Sequence, residues 1–113
     1  MFVLKQVADV KDDIEITIPG EKDASTITAT WRLHTVTETR ATLDKQREGG
    51  LTDDELVKQD LLALDGVQDE KGEPVKLTDD LVDQLLDMPY VRPKLVQSWL
   101  KAQNGRAEHA AKN

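Results

Sequence analysis

The sequence contains no cysteine. Disulfide bonds, thiolate metal ligands and a cysteine nucleophile are therefore excluded for these residues. Aromatic side chains are also scarce, at 4% of the chain. With 113 residues in total, the chain has room for one domain whose core must be small and largely aliphatic.

Long apolar segments are missing as well. No stretch is long enough to cross a bilayer as a helix. The first residues lack the basic segment and following apolar run that are typical of a signal peptide. Together with the lack of cysteine, this pattern favours a protein of a reducing cytoplasm.

Charge is abundant but unevenly placed. The net charge is −7, which disfavours binding to nucleic acid or to an anionic membrane surface. Residues 51–88 carry a net −9, whereas residues 89–113 carry a net +4. The two regions either pack against each other within one chain, or they allow copies to associate head to tail and steer a partner protein.

The N-terminal third has the period of β-strands. Ile14, Ile16 and Ile18 alternate with polar residues, and so do the apolar residues between Ile27 and Leu33. Turn-forming residues at 19–23 separate the two runs, which predicts an antiparallel hairpin. Residues 2–7 are a candidate third strand.

The rest of the chain has helical spacing. We predict helices over 37–48, over 52–65, from 78 to about 88, and over 90–102. Thr52 and Glu55 form a capping box, Thr78 is an N-cap, and Pro93 fits a first helical turn. The acid pairs that follow Thr52 and Thr78 suit the positive end of a helix dipole.

These elements predict an α+β fold. It consists of an N-terminal hairpin or three-stranded meander, followed by three to four helices, in one domain spanning 1–113. Within it, 1–36 is the β-rich part, 37–104 the helical part and 105–113 a flexible tail.

No residue pattern indicates catalysis or a cofactor. The acidic loop around Gly72 has hydrocarbon side chains where a calcium loop needs oxygen ligands. His34 and His109 lack a partner histidine at metal-ligand spacing, and both are expected at the surface. Ser25 and Ser98 do not lie in the turn of a serine nucleophile. We expect no catalytic residue, no metal and no cofactor.

The apolar stripes of the last two helices have two interpretations. Stripes at helical spacing usually pack into the core. They can also form an exposed ridge for an amphipathic helix, in which aromatic residues would be natural anchors. The candidate partner-binding residues on these stripes are Leu81, Leu85, Tyr90, Leu95, Trp99 and Leu100.

A series of short motifs, in a fixed order, extends over most of the chain. It comprises Ile16-Thr17-Ile18-Pro19-Gly20, then Trp31, the run 65–75 from Asp65-Gly66 to Pro74-Val75, then Leu77-Thr78, Leu85-Leu86-Asp87, Pro89-Tyr90-Val91 and Leu95-Val96. In this order and spacing, the chain resembles the tail assembly chaperones of long-tailed bacteriophages and prophages.

The resemblance implies a non-enzymatic protein of the bacterial host cytoplasm. Such chaperones bind the tape measure protein, keep it from aggregating, help recruit tail tube subunits and are absent from the mature virion. Two other functions remain open from the sequence. The acidic segment 51–88 is compatible with a nucleic-acid mimic that inhibits a host protein. The other alternative is a minor structural tail protein that stays in the virion.

Overall fold

The computed structural model describes residues 1–106 and the backbone of residues 109 and 110. It confirms the α+β fold, with an antiparallel sheet and four helices in the described residues. In chain order the elements are β1 (Asp9–Ile16), β2 (Ser25–Arg32), α1 (Val36–Arg47), α2 (Asp53–Asp60), β3 (Leu61–Asp65), α3 (Asp79–Leu86), α4 (Arg92–Gln103) and β4 (His109–Ala110).

The predicted hairpin is formed by β1 and β2. Ile14 lies opposite Ile27 in an antiparallel register that runs without interruption from Asp9 to Ile16. The alternation of apolar and polar residues puts Ile14 and Ile16 on the buried face, whereas Glu15 between them is exposed. Period-two patterning thus determined both the strands and the face that carries the core.

The third strand differs from the expected one. Residues 2–7 are exposed and form no strand, while β3 pairs antiparallel with β2 instead. The predicted continuation of α2 to residue 65 is therefore wrong, because α2 ends at Asp60 and the chain becomes extended at Leu61. The part of the chain expected to be helical contains a strand.

A bulge in β3 explains how its leucines reach the core. Leu61 lies opposite Trp31 and Leu64 opposite Ala29, with a register shift between these pairs. Leu62 is the additional residue, and its side chain is exposed. Leucines three positions apart can therefore both face inward, which a regular strand would not allow.

The helices begin at threonine caps. Thr52 and Glu55 form the predicted capping box, and Thr78 caps α3 as expected. A second capping box, Thr35 with Glu38, starts α1 slightly earlier than predicted. The N-terminal positions of α4 contain Pro93, whose missing N–H has no intrahelical partner to lose.

The core lies between the sheet and helices α2, α3 and α4. Its most deeply buried large side chains include Trp31, Trp99, Leu56, Leu95 and Val57, each at most 1% exposed. By contrast, α1 buries only Thr39, so it lies at the margin of this layer. None of the helices in the described part of the chain has the length and hydropathy needed to span a membrane.

The last strand falls within the segment predicted to be a flexible tail. His109 and Ala110 pair with Lys11 and Val10 at the outer edge of β1, giving the strand order β3-β2-β1-β4. At these two positions the structure has a short strand, and the expectation of a flexible tail stays a prediction. For 107–108 and 111–113 it lies outside the described residues.

Candidate functional site

A buried hydrogen-bond network fixes α4 to the sheet. Trp31 donates its indole N–H to Ser98 Oγ over 2.8 Å, and the Ser98 hydroxyl donates to Asp12 Oδ2 over 2.7 Å. The other Asp12 oxygen makes no hydrogen bond of good geometry, but Lys101 Nζ lies 2.8 Å from it as an ion-pair partner. The three side chains of this hydrogen-bonded series, Trp31, Ser98 and Asp12, are at most 3% exposed.

A second buried carboxylate joins α4 to α2. Asp60, 0% exposed, accepts a hydrogen bond from Trp99 Nε1 over 2.7 Å. The same carboxylate lies 2.9 Å from His34 Nε2. Nearby, Gln103 accepts from the His34 backbone N–H over 2.8 Å and donates to Arg32 O over 2.7 Å. Because the second half of α4, from Ser98 to Gln103, is bonded to the elements below it, the helix presents a fixed surface.

His34 differs from its expected surface position. Its side chain is only 14% exposed, because the chain leaves β2 at Arg32 and turns the imidazole towards Asp60. The position of Asp60 inside the core also has no local sequence signal. The side chain of His109 lies outside the described residues.

The hydrogen-bond partners of these polar groups differ from those of a serine nucleophile site. A serine nucleophile is normally hydrogen-bonded to a histidine, whereas the Ser98 hydroxyl donates to Asp12 and His34 faces Asp60. Asp69 in the acidic loop accepts from the backbone N–H groups of Lys71 and Glu73, which closes a local turn. In the described part of the chain, no three His, Cys, Asp or Glu side chains are grouped to hold a metal.

Most of the predicted partner-binding residues lie in the core. Leu81 and Leu85 are 8% exposed, Leu95 is 0% exposed and Trp99 is 1% exposed. These four could contact a partner only if α3 or α4 moved away from the elements that it packs against. Their amphipathic spacing is explained by the core interpretation, since one face of each helix packs inward.

The other two predicted residues are accessible to different degrees. Tyr90 is half-buried against the core, in the turn that precedes α4. Leu100 is 43% exposed and is the most accessible of the six. Leu100 lies about 100° around the helix from Trp99 and about 140° from Leu95, so it is turned away from the buried face that these two residues share.

Leu100 continues an apolar stripe along α4. Pro93 is exposed and Val96 half-buried, and with Leu100 they follow the i, i+3, i+7 spacing of one helix face. Beside Pro93 and Val96 is a shallow groove of about 350 Å³, which Asp53 and Arg92 also line. We call the residues Pro93, Val96 and Leu100 the α4 stripe.

The surface next to the α4 stripe is acidic. Asp53, Asp54 and Glu55 form the first turn of α2, and Arg92 Nη2 bonds Asp54 Oδ1 over 2.6 Å. On the neighbouring helix pair, Lys58 Nζ lies 2.7 Å from Asp83 Oδ1. This hydrogen-bonded carboxylate raises the pKa of the Lys58 ammonium group. Arg92 and Lys58 are thus paired with carboxylates, and charged residues border the α4 stripe.

A second exposed apolar region was not expected from the sequence. Five of the first seven residues are apolar, and each of these is at least 36% exposed. Among them, Phe2 is 85% exposed and Leu4 is 92% exposed. Isolated exposed apolar residues also occur at Val36, Leu62 and Met88.

Comparison with known proteins gives no neighbour for this chain. No protein-family model, no curated protein and no solved structure matches it. Function must therefore be argued from the surface geometry and from the sequence pattern described above.

Proposed function

We propose that the protein is a tail assembly chaperone of a long-tailed bacteriophage or prophage, and that it binds the tape measure protein through the α4 stripe. The order of short motifs along the chain supports the family. The net charge of −7 supports the role, because a strongly charged protein can keep an apolar companion in solution.

The observation that carries the proposal is the exposure of Leu100 on a helix whose Leu95 and Trp99 are buried. Ser98 bonds α4 to β1, and Trp99 bonds it to the end of α2. The α4 stripe is therefore a fixed apolar ridge, and a ridge with this spacing fits the groove of an amphipathic partner helix. A pre-ordered surface loses little side-chain entropy on binding, which favours capture of a long helical chain.

The acidic margin has a separate role in this proposal. Asp53 lines the groove beside Pro93 and Val96, and the exposed Glu55 lies in the same first turn of α2. These carboxylates keep the complex charged, which opposes its aggregation with further apolar chains. Such binding is reversible, as assembly requires when tail tube subunits replace the chaperone.

Coexpression with the tape measure protein encoded by a neighbouring gene tests this function. The wild-type chain should copurify with that protein and increase its soluble fraction, while Leu100→Asp should lose most of both effects. Val36→Asp is the matched control, since Val36 is an apolar residue 65% exposed on α1. The proposal fails if the wild-type chain neither binds nor solubilises the tape measure protein.

The two variants also locate the surface. If Val36→Asp abolishes binding and Leu100→Asp does not, a different face is used. Mass spectrometry of purified particles separates the chaperone from a minor structural tail protein, because a chaperone should be missing from the virion.

A further inference from the structure

The groove beside the α4 stripe has a carboxylate on one side and apolar side chains on the other. Asp53, in the first turn of α2, lines this groove together with Pro93 and Val96 of α4. Asp53 is half-buried, and Gln46 Nε2 donates to its Oδ1 over 2.8 Å. This neutral donor holds the carboxylate at the groove without cancelling its charge.

The basic residue that lines the same groove is bonded to other groups. Arg92 Nη2 donates to Asp54 Oδ1 over 2.6 Å, and Arg92 Nη1 donates to Leu86 O over 3.2 Å. Within the described part of the chain, no lysine or arginine forms an ion pair with Asp53. Asp53 is thus a negative charge beside an apolar surface, and this charge is available to a partner.

Acidic groups also predominate on the adjoining face of α2 and α3. The pKa of Lys58 is raised by its hydrogen bond to Asp83 and by the charges of Asp83, Asp79 and Asp54, which together outweigh desolvation. Because α2 also packs against α4, this acidic region is close to the groove. A basic group on an approaching partner is attracted by such a surface, whereas an acidic group is repelled.

We propose that the partner of the α4 stripe is an amphipathic helix with a lysine or arginine at the border of its apolar face, and that this basic residue pairs with Asp53. The inference rests on the proposed function for the location of the docking surface, and it adds the charge of the partner helix. On such a helix, a residue three or four positions from an apolar anchor lies beside that anchor. The basic side chain can therefore reach Asp53 while the anchors contact Val96 and Leu100.

The two kinds of contact have different consequences. Apolar contacts along the α4 stripe supply affinity for any amphipathic helix of suitable spacing. The ion pair at Asp53 discriminates between such helices, because a neutral or acidic border residue leaves the carboxylate without a cation. The groove therefore selects a basic amphipathic helix and disfavours an acidic one.

Glu55 lies in the same turn of α2 but is not an equivalent contact. Its Oε1 accepts from the backbone N–H of Thr52 over 3.3 Å and from the Thr52 hydroxyl over 3.0 Å, which closes the capping box. The groove is lined by Asp53 and not by Glu55. Glu55→Gln is therefore a matched control, because it removes one negative charge from the same turn and glutamine can still close a capping box.

Synthetic peptides test the charge of the partner on the wild-type chain. Three helical peptides of about 20 residues share one leucine stripe and differ at a single border position, which is lysine, glutamine or glutamate. Isothermal titration calorimetry should find that the lysine peptide binds about three- to fivefold more tightly than the glutamine peptide, as expected for one partly exposed ion pair. The glutamate peptide should bind most weakly, and high salt should reduce these differences.

Variants of the chain locate the effect. Asp53→Asn should remove the preference for lysine over glutamine with an unchanged circular dichroism spectrum, whereas Glu55→Gln should retain the preference. Leu100→Asp should weaken the binding of all three peptides, because it disrupts the α4 stripe. The inference is overturned if no peptide binds, if the wild-type chain binds the lysine and glutamine peptides equally, or if Asp53→Asn and Glu55→Gln have the same effect.

This inference and the chaperone function fail separately. A chain that binds the tape measure protein but has no preference for the lysine peptide refutes the inference and retains the function. A chain that prefers the lysine peptide through Asp53, but neither binds nor solubilises the tape measure protein, retains the inference and refutes the function.

Discussion

Replacement of Ser98 by alanine tests whether the buried network holds α4 on the sheet. Ser98 is 3% exposed and lies between the indole N–H of Trp31 and the carboxylate of Asp12. The substitution orphans the Trp31 N–H, whose residue is 0% exposed, and removes one donor from Asp12. Asp12 keeps Lys101 as an ion-pair partner.

The expected cost follows from these two losses. A buried donor without a partner costs about 1–3 kcal/mol, and a lost hydrogen bond to a carboxylate costs about 1.5–3 kcal/mol. The two terms share one hydroxyl and are not additive, and alanine recovers roughly 0.5 kcal/mol of helix propensity. We expect a net loss of about 2–4 kcal/mol in the free energy of unfolding.

Urea unfolding followed by far-ultraviolet circular dichroism measures this loss. Gln97→Ala is the control, because Gln97 is exposed on the same helix and should change stability by less than about 0.5 kcal/mol. In a Trp31→Phe background the cost of Ser98→Ala should fall, since the donor that would be orphaned is already gone. A cost equal to that of Gln97→Ala, or one unchanged by Trp31→Phe, would refute the reasoning.

The remaining predictions concern a glycine pair and a capping box. Gly66 and Gly20 both have positive φ, but a Cβ at Gly66 would lie 2.9 Å from a backbone oxygen of β2, whereas at Gly20 nothing lies within 4 Å. Gly66→Ala should therefore destabilise the chain more than Gly20→Ala in the same urea assay, and equal costs would contradict the close approach. The backbone N–H of Thr35, as a hydrogen-bond donor, lowers the pKa of Glu38 below 4.5. The stability difference between wild type and Glu38→Ala should accordingly be present above pH 4.5 and disappear as the pH falls through the lowered pKa. A difference that persists in acid would contradict this prediction.

Local signals in the sequence were sufficient for the hairpin and the helix starts. The alternating isoleucines of β1 and the threonine caps at Thr52 and Thr78 act over a few residues, and the structure has them where they were predicted. The turn at Gly20 is equally local, because its positive φ favours glycine.

The strand β3 could not be predicted because its cause is distant in sequence. Residues 61–64 are a short apolar run that suits a buried helix or a strand equally well. The helix ends there because Asp60 is bonded to Trp99 and His34, and because the edge of β2 accepts the following residues. No glycine or proline marks that boundary.

The candidate site was only partly predictable for a similar reason. The sequence analysis grouped Leu95, Trp99 and Leu100 in one apolar stripe of α4, but Leu100 lies about 140° around the helix from Leu95. Leu95 and Trp99 are buried, whereas Leu100 is exposed. Which apolar sector of α4 faces the core depends on the elements that pack against it, and these come from distant parts of the sequence. The exposure of residues 1–7 was not predicted, because their strand-like sequence suggested a place within the sheet.

The positions of the two tryptophans have an experimental consequence. Trp31 is on the sheet and donates its indole N–H to Ser98 of α4, and Trp99 is on α4 and donates its indole N–H to Asp60 at the end of α2. The two tryptophans that contribute to the intrinsic fluorescence thus lie on opposite sides of the contact between α4 and the sheet. Separation of α4 from the sheet should change the emission, whereas a helix that docks outside on Leu100 leaves both indoles in the same surroundings. Tryptophan fluorescence can therefore distinguish the separation of α4 from the sheet from the binding of a partner to the outer surface of α4.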